Sequence, residues 1–235
     1  MQIGLIIQGR MTSERLPGKV LRPIHGKPLL GYMVDGLSRC RWIESLVVAT
    51  SNDPTDDAVA EFCAEKGVTC FRGSLHDVAG RFAGVLSKVE WGGFVRVSGD
   101  SPLIDHRLVD RLVSQAKTCR YDIVTNVHPR SFPVGQSIEV VRTDSFLQAY
   151  RCMHSSHERE HVTKYFYLNE DKYEIVNVQR EFDCSDIRMA VDTPDDLSNF
   201  ETVLSNLCYP HWQYAVDDLI DVYRQVSPNS HRKAA

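Results

Sequence analysis

Between Gln8 and Lys19 the chain reads QGRMTSERLPGK, which sets three cations, Arg10, Arg15 and Lys19, in a loop with Gly9, Ser13 and Gly18. A polyphosphate would select this mixture. A triphosphate carries about four negative charges, and guanidinium forks, an ammonium and free backbone N–H groups together cradle it. Gly9 adds a point where the backbone can approach a base or sugar closely. A solvated basic loop is the competing reading for any one of these residues. The segment is not a Walker A loop, because Val20 follows Lys19 and Ser13 stands where that motif needs glycine. No Gly-x-Gly-x-x-Gly fingerprint is present either.

A second chemical signal is Asp100, in Gly99-Asp-Ser-Pro102. A bound polyphosphate is commonly accompanied by a divalent cation that neutralises its oxygens, and magnesium selects carboxylates and water. Asp100 is therefore the first candidate ligand for Mg2+. Asp192, before Thr193-Pro194, reads from the residues alone as a helix N-cap, and Asp53, Asp195 and Asp196 read as capping or first-turn acids. Arg81 stands four residues after Asp77, a spacing that allows a surface pair of small energy. His154, His157 and His161 share a helical face with Glu158 and Glu160. Zinc there would lack a fourth ligand at a familiar spacing, so acceptor binding or packing are the other readings. Tyr165, Phe166 and Tyr167 read as core or interface.

These residues need a scaffold that brings distant segments to one edge. Gln2–Ile7 is an apolar run of strand length, as expected for a strand covered on both faces. Pro28 opens a helix striped by Leu29, Leu30, Met33 and Leu37. Residues 44–50 form a strand; Asp53 caps a helix running to about Lys66 and closed by Gly67. The alternation continues with strand 68–71, helix 76–89, strand 94–97, helix 108–116 and strand 121–125. It predicts an α/β fold with a doubly wound, mainly parallel, Rossmann-like sheet. In such sheets ligands gather beyond the carboxyl ends of the strands, where Gln8 and Asp100 both fall. After Asn126 the rhythm changes: a loop at 130–135, a strand at 137–142, a helix at 144–153, a strand at 173–178 and helices at 194–208 and 217–225. The expected organisation is a single domain over 1–226, a small β-rich inserted lobe near 126–180, and a flexible tail at 227–235.

Composition narrows the partners. The 235 residues carry 27 Lys and Arg against 31 Asp and Glu, a formal charge of −4, which argues against nucleic acid and against a polybasic membrane anchor. No apolar run approaches the roughly 20 residues that span a bilayer, and residues 3–7 are too short for a signal core. The seven cysteines are scattered and form no Cys-x-x-Cys pair, so thiols in a reducing compartment are expected, with a cytoplasmic location.

Six segments in order then resemble one family. They are Arg10-x4-Arg15-Leu-Pro-Gly-Lys19 with Gly26-Lys-Pro-Leu29; Val47-Val-Ala-Thr-Ser51; Phe71-Arg-Gly-Ser74; Gly99-Asp-Ser-Pro-Leu-Ile104; Arg159-Glu-His-Val-Thr163; and Val191-Asp-Thr-Pro-Asp-Asp196. Together they resemble the cytidylyltransferases that activate acidic sugars, such as deoxy-octulosonate and sialic-type acids, as CMP derivatives. Within that family they are most similar to the branch of spore-coat polysaccharide biosynthesis. Gly9 replaces the family's usual alanine. The resemblance implies a nucleotidyltransferase fold and a CTP site at Gln8, Gly9, Arg10, Ser13, Arg15, Lys19 and Asp100, with Arg72, Ser74 and Arg81 around base and ribose. It adds Asp192 to Asp100 as a metal ligand. It implies that a small acidic acceptor meets Arg130, Pro133, Gly135, Glu139, Arg159, Glu160 and His161, and that the inserted lobe supports a homodimer. Arg10, Arg15, Lys19 and Asp100 would carry a direct displacement at the α-phosphorus, with pyrophosphate leaving. Where the branch has two further acids, this chain has Val134 and Ser137, which keeps a phosphonate or another strongly anionic acceptor open. A sugar-phosphate nucleotidyltransferase using another nucleotide is disfavoured by the missing Gly-rich opening. A catalytically silent nucleotide-binding module is a reading of a different class. A glycosyltransferase would want an Asp-x-Asp motif, which is absent.

Overall fold

A strand that is apolar throughout needs cover on both faces, and β1 (Ile3–Gln8) receives it: Ile3, Leu5 and Ile7 meet one helical layer and Ile6 the other. The structure, a computed structural model, describes residues 1–226; the tail expected at 227–235 lies outside them. After β1 come a 3-10 turn at Lys19–Leu21, a hairpin of β2 (Pro23–Ile24) and β3 (Lys27–Pro28), and α1 (Leu29–Leu37). The expected alternation follows as β4 (Leu46–Ser51), α2 (Asp57–Lys66), β5 (Thr69–Gly73), α3 (Val78–Leu86), β6 (Gly93–Ser98), α4 (His106–Thr118) and β7 (Ile123–Thr125). Then come β8 (Glu139–Arg142), α5 (Thr143–Cys152), α6 (Ser156–Glu160), α7 (Lys164–Leu168), β9 (Ile175–Asn177), α8 (Pro194–Ser205) and α9 (Val216–Val226).

The seven-stranded sheet has the order β5-β4-β1-β6-β8-β7-β9. Its pairings are parallel except those of β8, which runs antiparallel to β6 and β7. One layer takes the apolar stripes of α1, α2, α4, α8 and α9; the other takes those of α3, α5 and α7. A mainly parallel, doubly wound sheet is thus what the chain builds. Residues 126–180 supply β8 and β9 to this same sheet, with α5, α6 and α7 laid beside them, while the separate two-stranded antiparallel sheet lies earlier, at 23–28. Among the described residues no helix is long and apolar enough to cross a membrane.

Local signals explain most boundaries. Asp53 accepts from the Thr55 amide at 2.9 Å and so caps a short 3-10 turn that leads into α2, which Gly67 closes at φ 66°. Asp77 caps α3 through the Gly80 amide at 2.7 Å. Phe82, Phe94 and Phe146 fill the second layer with ring centroids 5.2 to 6.3 Å apart.

Two buried polar groups tie this scaffold together. Asp56 is fully buried; one carboxylate oxygen accepts from the Met11 amide at 2.6 Å, and the other accepts from the Ser51 amide at 3.0 Å and from the Ser51 hydroxyl. It therefore fastens the loop after β1 to the end of β4. Replacing Asp56 with Ala strands these donors and should lower unfolding stability by roughly 3 kcal/mol, measured by urea titration. His211 donates its Nε2–H to the Tyr32 carbonyl at 2.8 Å and packs against the Tyr32 ring. Burial pushes its pKa down to about 4. In the unfolded chain imidazole titrates near 6.5, so between about pH 6.5 and 4 the unfolded state binds the extra proton. Stability should fall as pH drops through that window, and urea midpoints of His211→Gln should show a shallower fall than those of the parent.

Candidate active site

Parallel pairing of β1 with β6 sets Gln8 opposite Ser98, so the loop after β1 and the Gly99-Asp100 turn leave the sheet side by side. Gly99 makes this approach feasible. Its amide donates to the Gln8 carbonyl at 2.7 Å, and a Cβ there would lie 2.8 Å from the same oxygen. The loop after β1 curls on itself, with the Ser13 and Gly18 amides both donating to the Met11 carbonyl. Gly18 adopts φ 73°, which turns the chain into the 3-10 segment that carries Lys19. The amides of Thr12, Glu14 and Arg15 meet no backbone acceptor among the described residues.

A cavity of about 300 Å³ opens here. Of the residues expected to bind nucleotide, Gln8, Gly9, Arg10, Ser13, Arg15, Lys19, Arg81 and Asp100 line it, joined by Glu160 and His161 from α6 and its C-terminal end. Five cations (Arg10, Arg15, Lys19, Arg81 and Arg96) surround it against the carboxylates of Asp100 and Glu160. Lys19 is buried. Its ammonium reaches Asp192 Oδ1 at 2.6 Å, Asp100 Oδ2 at 3.3 Å and the Val191 carbonyl at 2.9 Å. Asp192 also pairs with Arg15 at 3.0 Å and with Arg188. Burial alone would raise the Asp192 pKa, but the hydrogen bond and charge of Lys19, then Arg15 and Arg188, hold it below the ordinary carboxylate range.

Arg81 is 2% exposed, donates to the Ser74 carbonyl at 3.3 Å and leaves its Nε without a partner. Burial, and then the neighbouring Arg10, lowers its pKa to about 10. The alternative reading, an ion pair with Asp77, is not formed: Asp77 goes to Arg159 and the Tyr150 hydroxyl. A buried guanidinium short of partners is an attractive counter-charge for phosphate. Arg10 reaches Glu160 and the Leu75 carbonyl at 3.2 and 3.4 Å. Burial and then the neighbouring His157 lower the His161 pKa below the ordinary imidazole value.

Other expected site residues sit away from the cavity wall. Arg72 grips the carbonyls of Ser51 and Asp53 at 2.9 and 3.0 Å and pairs with Asp57, which fastens β5 to the turn after β4. The Ser74 hydroxyl accepts from the Asp77 amide, and its carbonyl orients Arg81. Arg159 is held by Asp77 and Tyr150. Asp192 is not the N-cap of α8: Thr193 caps it in a reciprocal pair with Asp196, which frees Asp192 for the cations. Pro133 and Gly135 belong to a turn whose Val134 amide donates to Ile187 and whose Val134 carbonyl accepts from Met189 and Ala190. A Cβ on Gly135 would lie 2.6 Å from the Ala190 nitrogen, so the turn presses on the segment that leads to Asp192. Val134 and Ser137, the positions without acids, line neither this cavity nor the neighbouring one.

Glu139 and His161 do meet at a second cavity of about 490 Å³ that shares Arg96 and His161 with the first; Arg130 is not in its lining, and burial lowers its pKa against the opposing influence of Glu139 and Tyr167. Arg96, which lines both cavities, escaped sequence reasoning. A charged residue within a strand otherwise reading Phe94-Val-x-Val97, two positions before Ser98, was its one signal. His154, His157 and His161 gather no metal: among the described residues no group of three or more His, Cys, Asp or Glu could hold an ion. His157 instead contacts the His161 ring and the Lys164 ammonium.

With this geometry, similarity to known proteins becomes informative. A family model described as cytidylyltransferase matches residues 5–210. The spore coat polysaccharide biosynthesis protein SpsF of Bacillus subtilis is 30% identical over 207 residues, 84% of each chain. The structure of a cytidylyltransferase from Leptospira borgpetersenii is similar with a TM-score of 0.92 and 29% identity, over 100% of this chain and 98% of that one. CMP:2-keto-3-deoxy-manno-octonic acid synthetase, in a structure complexed with CTP, shares the fold with a TM-score of 0.68 at 18% identity, over 87% of this chain and 99% of that one. The strand-edge cavity and a family model that spans most of the sequence agree: the chain belongs to the cytidylyltransferase family and is a nucleotidyltransferase enzyme.

Proposed function

We propose that this enzyme transfers CMP from CTP to a small acidic acceptor, of the deoxy-ulosonic or nonulosonic sugar type, with release of pyrophosphate. The observation that carries the reading is the cavity beyond β1 and β6, where five cations surround a space bordered by Asp100. A triphosphate supplies the negative charge this arrangement lacks. The names of the similar proteins, one an octonic acid synthetase complexed with CTP and one a spore-coat polysaccharide protein, support cytosine and an acidic sugar as the two substrates.

The chemistry follows from position and charge. Loop amides with Arg10 and Arg15 bind the outer phosphates, Lys19 lies deeper, and Arg81 offers unspent donors from beneath. An acceptor oxygen attacks the α-phosphorus in line, the bond to the β-phosphate breaks, and pyrophosphate departs against the cations. Charge growing on the leaving group meets donors already fixed in place, so little reorganisation is needed as the bond breaks. No covalent intermediate on the protein is required.

The donor set also fits a divalent cation. Asp100 lines the cavity, and its Oδ1, which meets the Ser101 hydroxyl at 3.2 Å, is not the oxygen that pairs with Lys19. Magnesium binds through one or two carboxylates together with waters and substrate phosphates, so such an oxygen is a suitable protein ligand. When bound, Mg2+ would neutralise phosphate oxygens and orient the α-phosphorus. Asp100, which faces the cavity, would hold it more directly than Asp192, whose oxygens already serve three cations. A homodimer through residues 126–180 belongs to the same reading.

Pyrophosphate release measured with each of the four nucleoside triphosphates, magnesium and a panel of acidic sugars tests this directly. CTP should be preferred, and mass spectrometry should show a CMP conjugate. Arg15→Ala, Lys19→Met and Asp100→Asn should each lower turnover by about 100-fold or more with the fold intact. Near-normal turnover in all three variants overturns the assignment. Asp192→Asn should weaken the hold on Lys19 and lower stability by about 3 kcal/mol, read by urea unfolding.

A further inference from the structure

At the end of the sheet opposite Asp100, where β6 begins at Gly93, a third cavity of about 550 Å³ opens between the last turn of α4 and the start of α5. It shares no residue with the two cavities already described. Three cations border it, Lys117, Arg120 and Arg142, against the carboxylate of Asp144. The whole chain has a formal charge of −4, so this local positive excess runs against its composition. The Arg120 and Arg142 side chains form no ion pair or hydrogen bond among the described residues. Lys117 is engaged in part, its ammonium 4.5 Å from the centre of the Trp42 ring.

The wall also holds a donor without an acceptor. Tyr121 is 5% exposed, and its buried hydroxyl bonds to no described residue. A buried O–H left in that condition is costly, and native proteins seldom keep one. Burial pushes the phenol pKa up to about 12, against the charge of Arg142, so the group remains a proton donor. The hydroxyl stands beside Gly93, where a Cβ would lie 3.1 Å from it, and Met1 lies over Gly92 and Gly93. Met1 is 62% exposed and unbranched, a cover that can shift to admit a ligand. The amides of Arg120 and Tyr121 also meet no backbone acceptor among the described residues.

These groups match a small protonated oxyanion. Two guanidinium groups and a phenol O–H donate to the oxygens of a compact anion, and the guanidinium fork suits phosphate geometry. Asp144 accepts only, so it repels a fully deprotonated oxyanion such as sulfate. A hydrogen phosphate ion still carries a P–OH, which can donate to that carboxylate. We propose that this cavity is a binding site for inorganic phosphate, held by Arg120, Arg142 and Tyr121 with its P–OH turned to Asp144. The length of β6, about 17 Å, separates it from the nucleotide cavity. The site stands whether or not the group transferred there is CMP.

Calorimetric titration of the whole chain with sodium phosphate, in a sulfate-free buffer, tests this. The parent should bind with a Kd of about 1 mM or tighter, and sulfate at least about tenfold more weakly. Arg120→Gln/Arg142→Gln should weaken phosphate at least about tenfold, and Tyr121→Phe about three- to tenfold. Asp144→Asn should bring the affinities for the two anions within about threefold of each other. Phosphate taken up by the nucleotide cavity is separated by repeating each titration in an Arg15→Ala background, where the preference for phosphate over sulfate should persist. In the absence of phosphate, Tyr121→Phe should keep the parent's urea midpoint, since its hydroxyl bonds to nothing in the free protein. Binding that vanishes with Arg15→Ala, unchanged affinity in the Arg120→Gln/Arg142→Gln and Tyr121→Phe variants, equal affinity for sulfate, or a lowered urea midpoint in phosphate-free Tyr121→Phe overturns the inference.

Discussion

Like charges must be brought together before any polyphosphate arrives, and that repulsion is the constraint around which the site is built. Lys19 bears it most directly, because its ammonium is almost wholly buried and would be costly there alone. Asp192 and Asp100 offset the cost from two sides and the Val191 carbonyl from a third. Asp192 can do so because its own ionisation is secured by three cations at once. The result is a fixed lattice of opposite charges with positive groups left over toward the cavity. An incoming phosphate adds to this lattice without having to assemble it.

The scaffold serves that lattice at several distant points. Asp56 anchors the Met11 amide to the end of β4 and so fixes where the cationic loop begins. Gly99 lets the end of β6 lie against the Gln8 carbonyl, which brings Asp100 into reach of Lys19. From the other side of the sequence, the Pro133–Gln136 turn presses on Met189 and Ala190, and the Val191 amide donates to the Asp100 carbonyl at 2.8 Å. Segments separated by more than 170 residues thus meet at one ammonium, which no stretch of the chain could arrange locally.

Much of this was legible before the structure, and the division follows range. The parallel sheet could be read because its strands are continuous apolar runs separated by helical stripes, both local patterns. The loop cations and Asp100 could be read because chemistry and position coincide at strand ends. What could not be read depends on long-range pairing. Ser137–Arg142 alternates like a strand, yet only the register with β6 and β7 places it inside the main sheet. Arg72 and Arg159 carry the right chemistry, and their partners come from far along the chain: the Ser51 and Asp53 carbonyls for one, Asp77 for the other. Asp192 looked like a cap because Pro194 follows it, whereas Thr193 with Asp196 fills that role one residue later. Arg96 stayed hidden because a single arginine inside a strand does not reveal that Gln8, Glu139 and Thr163 converge on it.

The cations of the nucleotide cavity then divide by how tightly they are held, and the division suits a substrate that must enter and a product that must leave. Lys19 and Arg81 are buried, so their positions are set by the fold. Arg15 is 65% exposed along its side chain, and its pair with Asp192 is of the surface kind that contributes little. It can exchange Asp192 for a phosphate oxygen at small cost, and Asp192 keeps Lys19 and Arg188 when it does. Arg10, partly exposed and paired with the half-exposed Glu160, has the same freedom. On the proposed reading, fixed cations beneath and exchangeable ones at the rim let the site be strongly positive toward the bond being broken, while the outer phosphates stay bound by groups that can release them.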